Sequence, residues 1–443
     1  MAVSDTVADA PADASPGREG VYNGRWTKRS VTAVAVFAGI HTFYYADRQA
    51  FGLVLPLIKK EMQLTDTQIG LLAGLAFVLF YSILAVPVAR LADRSNRRNI
   101  LAFGVGFWSL MTAISGLSAN VWQLATARFL MGAGEAAGLA PLTSMVSDIF
   151  DRVRRPMAMA FATCGNALSS LIMFPILGLV ANAYGWREAF FVAGVPGMIL
   201  TVLLICFVKE PARTSDGAGK AKAPQESFAK TLRYLLSAPA YVLAALGAAL
   251  VGISLYADQT WNASFLTRVH GLNLAQVGAS IGLIKGVMGL SGGLLAGVVV
   301  SKLCRLSERW RLWVPGLACI LVMPSELLFL TAPDIRIALV GLAMASFFIG
   351  AHYAQVFAVF QDVAPTRMRA TAVSLFILCV APIGQVIGPL VVGFLNDLWA
   401  TKYGVEAIRY SLMVGSVAAA IGGSMMLIGS IFLPRDVERA ART

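Results

Sequence analysis

The chain has 443 residues, 57% hydrophobic and 14% charged, with a mean hydropathy of +0.71 and a formal net charge of +12. Soluble domains carry about 25% charged residues, so this composition excludes an ordinary soluble protein and places the chain among membrane proteins. The basic excess alone would fit a nucleic-acid binder, but its distribution along the chain argues for a membrane topology instead.

Residues 1–24 are rich in Ala, Asp, Pro and Gly and lack an apolar core segment. They read as a disordered cytoplasmic tail with no signal peptide. A spanning helix needs roughly 20 apolar residues. Twelve segments meet that need, near 31–58, 67–89, 99–118, 122–147, 157–183, 187–208, 237–262, 275–300, 311–331, 335–361, 370–396 and 409–433. A polar stretch at 209–236, rich in Gly, Pro, Ala and Lys, separates six from six and reads as a flexible cytoplasmic linker. The expected organisation is a six-helix bundle over 25–208, a second over 237–433, and a cytoplasmic tail at 434–443. With the first tail inside, cytoplasmic segments hold 26 Lys and Arg, outward loops hold 7, and Arg48, Arg128 and Lys285 lie within the membrane segments. That asymmetry predicts a multi-pass protein with both termini in the cytoplasm, whose large partner is a lipid bilayer and not nucleic acid.

The five cysteines are scattered without a CxxC pair, and His41, His270 and His352 lack metal-ligand spacing. Neither set points to a metal or a cofactor.

The two halves repeat. "SDIFDRVRRPMAMA" from Ser147 reappears as "QDVAPTRMRATAVS" from Gln361, a shift of 214 that pairs Asp148 with Asp362, Arg155 with Arg369, and Pro175 with Pro389. "YADRQ" at 45–49 echoes "YADQT" at 256–260 with a shift of 211. Parallel six-helix halves related by an axis along the membrane normal are a known transporter architecture. The predicted fold class is therefore an all-α polytopic membrane protein, twelve transmembrane helices in two pseudo-symmetric six-helix bundles.

"ARLADRSNRR" at 89–98 resembles the signature loop between the second and third helices of the major facilitator superfamily, with Ala89 and Asn96 in place of its glycines. The resemblance implies that Asp93, Arg94, Arg97 and Arg98 act as a conformational latch through ion pairs at helix ends. The matching stretch of the second half, "SKLCRLSERWR" at 301–311, lacks the Asp. The first half is further similar to the spinster family of lipid transporters, through Asp47–Arg48, "VLPLI" at 54–58, "LADRSNRR", "FWSL" at 107–110 and "RFLMGAGEA" at 128–136. That resemblance covers residues 44–212, and with the short loops it suggests a bacterial inner-membrane member. It implies an amphiphilic substrate of the lysophospholipid or sphingoid-phosphate type, and Asp47 and Glu135 as protonation sites. It also implies Arg48 as their gate or as an anchor for an anionic headgroup.

The residues support a shared cluster on their own terms. Each central Asp or Arg in a membrane helix costs roughly 2.5–3.5 kcal/mol on insertion-derived scales. At about 1.5 Å per residue, Asp47 and Glu135 both fall near mid-membrane, and Arg128 sits about two turns, roughly 10 Å, above Glu135 on the same face. Successive residues of a helix do not face each other, so each charge needs a partner from another helix. The economical arrangement sets Arg48 against Glu135, with Asp47 within reach and Arg128 above. His41, Tyr44 and Tyr45 share the Arg48 face and would line the same cavity. Separating and rejoining such an acid and arginine would switch the acid between ionised and protonated forms, as a proton-coupled carrier requires. A static ion network is the alternative, although buried pairs stabilise poorly.

In the second half Asp258–Gln259 replaces Asp–Arg, and the 214 shift puts Leu342 and Ile349 opposite Arg128 and Glu135. The expectation there is a mostly apolar wall near His352, Tyr353 and Gln355, with Lys285 and Glu326 as lone interior or snorkelling charges. No nucleophile cluster and no phosphate-cradling Gly loop followed by Lys-Ser/Thr occurs, which argues against an enzyme or an ATP-driven pump. A sensor that binds without transporting fits the same pattern. The reading favoured is a monomeric, proton-coupled, alternating-access carrier of an amphiphile. A carrier of a small organic anion, sugar or drug-like solute is the alternative.

Overall fold

The computed structural model describes Tyr22 and residues 24–151, 153–212, 228–365 and 367–442. Most of the expected N-terminal tail, residues 213–227 of the expected linker, and the side chain of Asp93 lie outside what is described. Twelve helical passes follow in order: α1 (Lys28–Met62), α2 (66–94), α3 (Arg97–Ser115), α4 (Val121–Ile149), α5 (Arg155–Ala183), α6 (Trp186–Phe207), α7 (Pro239–Arg268), α8 (Leu274–Leu303), α9 (Trp310–Thr331), α10 (Ile335–Asp362), α11 (369–403) and α12 (Ala407–Arg442). Side-chain caps fix where several begin. Thr27 with Ser30, Thr65 with Gln68, and Asn273 with Gln276 form reciprocal capping boxes at the starts of α1, α2 and α8. Asn96 and Asn120 cap α3 and α4.

Four passes are interrupted. α2 breaks at Gly74, and α4 breaks at 136–138 immediately after Glu135. α5 and α11 each contain a π-helical turn, Ser169–Met173 and Ile383–Ile387, which lie 214 residues apart. Each is followed closely by a proline, Pro175 or Pro389. Proline has no N–H and its ring crowds the carbonyl four residues back, so a widened turn ahead of it relieves the clash. The sequence repeat thus extends to the defects of the helices.

One end of the bundle, the basic end, carries both described termini and the 89–98 loop; the other is the distal end. The halves meet through closely crossing helices. A Cβ on Gly52 of α1 would lie 2.5 Å from the Gln259 carbonyl oxygen of α7, and one on Gly70 of α2 would lie 2.6 Å from that of Pro389 in α11. Such approaches admit only a residue without a side chain. Toward the distal end one buried cluster spans both halves, including Phe51, Leu53, Trp261, Phe265 and Leu412. Toward the basic end each half keeps its own cluster, one around Phe37, Trp108 and Phe150 and one around Tyr241, Phe360 and Phe376.

Ion pairs follow the same division. At the distal end Asp66 accepts from both Nη atoms of Arg268, at 2.6 and 2.9 Å, and pairs with Lys59. Asp397 accepts from the backbone N–H groups of Asp66 and Thr67 at 3.0 and 2.8 Å. The Arg268 and Asp397 contacts join the halves, while the Lys59 pair ties α1 to α2. At the basic end Arg97 holds Asp148 and Glu210, and Arg311 holds Asp362, each within its own half. The outer surface is apolar, with Ile83, Phe103 and Leu294 more than half exposed toward lipid.

Candidate functional site

α1 delivers Asp47, Arg48, His41, Tyr44 and Tyr45 to the middle of the first half, and α4 delivers Arg128 and Glu135. The Arg48 guanidinium donates from Nε at 2.8 Å and from an Nη at 2.6 Å to one Glu135 oxygen, Oε2. The same Nη donates to the Tyr44 hydroxyl at 2.6 Å. Aromatic faces surround the guanidinium, with Tyr44, Phe77 and Tyr81 centroids at 4.4, 4.5 and 5.3 Å. The Arg48 side chain is 14% exposed and that of Glu135 fully enclosed, so the arginine is the more accessible member of the pair.

Asp47 is 1% exposed, and neither of its oxygens has a hydrogen-bond partner among the described residues. It lies within electrostatic reach of Glu135, Arg128 and Arg48 and next to Thr112 of α3. The other Glu135 oxygen, Oε1, is likewise unpartnered. Arg128 does not pair directly with an acid. It donates to the Leu72 carbonyl at 3.2 Å and stacks over Phe51, 3.7 Å from the ring centroid, while Nη1 stays free of partners. Two carboxylates and two guanidiniums from α1 and α4 therefore share one site with unspent hydrogen-bonding capacity. That is uncommon for buried charge.

His41 faces α5. Its Nδ1 accepts from the Gly165 N–H at 3.1 Å, which places its proton on Nε2. Its ring stacks parallel to Tyr44 at 6.0 Å and edge-on to Tyr45 at 5.1 Å. Tyr45, Tyr81, Tyr256 of α7 and Tyr353 of α10 lie within electrostatic reach of one another and of Arg48. Tyr81 and Tyr256 were not picked out from the sequence. Phe77 and Tyr81 lie i and i+4 on α2, a spacing that signals a shared face, but only the fold aims that face at Arg48. A cavity of about 70 Å³ adjoins Tyr256 and Tyr353, walled by Leu255, Ile349, Phe357 and Phe376.

At the basic end Arg97 is buried among Asp148, Glu210, the Ser144 hydroxyl (2.9 Å) and the Pro211 carbonyl (3.0 Å). Arg98 donates its backbone N–H to Glu210 at 2.8 Å, while Arg94 is exposed. Burial works against the Arg97 charge, but Asp148 and Glu210 outweigh it and hold the guanidinium above its usual range. This network ties α3, α4 and the end of α6 together. Its counterpart is Arg311–Asp362, at a shift of 214 from Arg97–Asp148. The missing Asp in the second loop therefore does not remove the repeat of this contact.

The second half requires a correction. Lys285 and Glu326 are not lone charges. Asp258 of α7, Lys285 of α8 and Glu326 of α9 converge within the bundle, and the wall facing the first half is less uniformly apolar than its sequence suggests. The three come from separate helices, so no periodicity could assemble them.

With this geometry in view, comparison with known proteins defines the class. A Major Facilitator Superfamily model matches residues 37–389. An MFS-type efflux pump of Mycolicibacterium smegmatis is 30% identical over 417 residues, covering 94% of this chain and 96% of that protein. The chain belongs to the Major Facilitator Superfamily, and it is a membrane transporter with a small-molecule substrate. It is also similar to the sphingosine-1-phosphate transporter SPNS2 of Danio rerio, 28% identical over 442 residues and covering 92% of this chain and 86% of that one. The solved structure of a bacterial homologue of the human lysosomal transporter spinster, inward-facing and unoccupied, matches with a TM-score of 0.82. It is 24% identical, and the match covers 93% of this chain and 99% of that one, a likeness of fold. Within the superfamily the chain resembles the spinster transporters.

Proposed function

We propose that this protein is a proton-coupled carrier of an amphiphilic, lysophospholipid-like or sphingoid-phosphate-like substrate, working by alternating access as a monomer in a bacterial inner membrane. The basic end faces the cytoplasm. The observation that carries the proposal is the Arg48–Glu135 pair set beside the unpartnered carboxylate of Asp47, with Tyr44 and Tyr81 around the guanidinium. Asp47 and Glu135 hold the coupling proton. Arg48 is the group they compete for, and it releases Glu135 when an anionic headgroup or a proton takes over one side of the pair. Leu255, Ile349, Phe357 and Phe376 add an apolar surface on the second-half side, around a cavity of about 70 Å³ that is too small in this state to enclose an acyl chain. The spinster-like relatives support a lipid; the sealed distal end and the fold match support an inward-facing state.

The test is uptake into proteoliposomes of a lysophospholipid, a hexose and an organic acid, each with and without a pH gradient. The proposal expects gradient-dependent flux of the lysolipid, lost in Asp47→Asn and Glu135→Gln proteins that remain folded. Gradient-dependent flux of the sugar or acid alone would refute the substrate class. Undiminished gradient-driven flux in both variants would refute the coupling residues.

A further inference from the structure

The first half of the site is half of a larger pattern. Asp47 corresponds to Asp258 at the 211 shift, and Thr112, which neighbours Asp47, corresponds to Glu326 at the 214 shift. In the second half Asp258 lies beside Glu326, and Lys285 acts on both. Glu326 is 3% exposed; Oε1 accepts from the Ser254 hydroxyl at 3.3 Å, while Oε2 is buried without a partner. Asp258 and Lys285 are less enclosed than Glu326.

We propose that Asp258, Glu326 and Lys285 form a second proton-binding site, one that the second half contributes to the transport cycle. This rests on the proton-coupled reading above. The chemistry is a charge balance. One ammonium offsets one carboxylate, so with both acids ionised the triad holds a net negative charge in a low-dielectric interior. Two adjacent carboxyl groups then share one incoming proton, entering at Asp258 and held as an O–H···O link to Glu326, and the triad becomes neutral. No bond other than that to the proton forms or breaks.

The surroundings contribute little competing charge. α10 carries only His352 and Tyr353 as titratable groups between Arg336 and Asp362, α11 carries no Asp, Glu, Lys, Arg or His between Arg369 and Asp397, and α12 has none between Arg409 and Arg435. On α7 Tyr256 faces Arg48, and on α1 Arg48 is committed to Glu135. α8 has no charge besides Lys285 before Lys302, and α5 has none between Arg155 and its end. The second half thus has the acid that its sequence seemed to have lost, displaced from the α10 position to α9.

Two measurements test this on the full-length protein. The first is the reversal potential of substrate flux in proteoliposomes, which reads protons per substrate. Glu326→Gln, and separately Glu326→Thr, which installs the first-half residue, should lower that ratio by one with flux retained. An unchanged ratio would overturn the proposal. The second needs no variant: wild-type protein is treated with dicyclohexylcarbodiimide, which modifies protonated carboxyl groups in apolar surroundings, and mapped by peptide mass. Modification at Asp258 or Glu326 that fades as pH rises supports the site, and no modification at any pH overturns it. If wild-type flux proves indifferent to pH, the coupling reading fails by itself, while the labelling still decides whether the triad binds a proton.

Discussion

At the scale of single residues, the central fact is that Arg48 spends two donors on one oxygen of Glu135 and one of the same donors on Tyr44. A lysine could not reproduce this fork. Removing one member of a buried ion pair typically costs about 3–5 kcal/mol, because the other charge is stranded. Arg48→Ala should therefore lower thermal stability measurably and weaken anionic amphiphiles at least tenfold more than neutral ones of the same chain length, read by competition binding. Equal loss for both would contradict headgroup anchoring. Tyr44→Phe removes only a hydroxyl contact, and its expected effect on apparent affinity is a few-fold. The Asp–Arg pair and Glu135 were legible in the sequence because charge is conspicuous against an apolar background. Tyr81 and Tyr256 were not, since each is ordinary on its own helix, and Glu326 was visible only as a lone charge whose meaning comes from neighbours on other helices.

At the scale of elements, the irregular turns mark where the bundle can bend. α4 breaks directly after Glu135, and the two π-helical turns occupy equivalent positions in α5 and α11. Gln49 of α1 engages the first of these turns, accepting from Ser169 at 3.1 Å and donating to Ser170 at 3.2 Å. Just before it, Gly165 lets α5 approach so closely that a Cβ there would sit 2.2 Å from the His41 carbonyl carbon. Gly165→Val should thus force α1 and α5 apart and destabilise by roughly 1–3 kcal/mol or more. A thermal-shift assay in detergent checks this, and an unchanged melting temperature would contradict the crossing. The prolines behind the π turns were visible in the sequence as a repeat, whereas the turns themselves depend on how the helix yields to each proline, which composition does not encode.

At the scale of the whole molecule, one buried cluster closes the distal end across both halves and two separate clusters leave the basic end divided. Twelve apolar segments, a polar midpoint and a 214-residue repeat made this architecture readable, because lipid demands satisfied backbone and so permits few alternatives. Which end is closed was not readable, since both states share one sequence. Asp66 carries much of the closure through Arg268, and its backbone N–H through Asp397. Asp66→Asn should shift the population toward distal-open forms, seen as longer distances between spin labels at the exposed positions Leu117 and Val405. An unaltered distribution would remove Asp66 from the gate. The most direct test of the account as a whole is proton movement itself, followed with a pH indicator inside proteoliposomes when a lysophospholipid is added outside. Proton flux should accompany substrate in the wild-type protein and vanish in Asp47→Asn protein that still binds it. Substrate flux without proton flux in the wild type, or proton flux that survives in the variant, would contradict it.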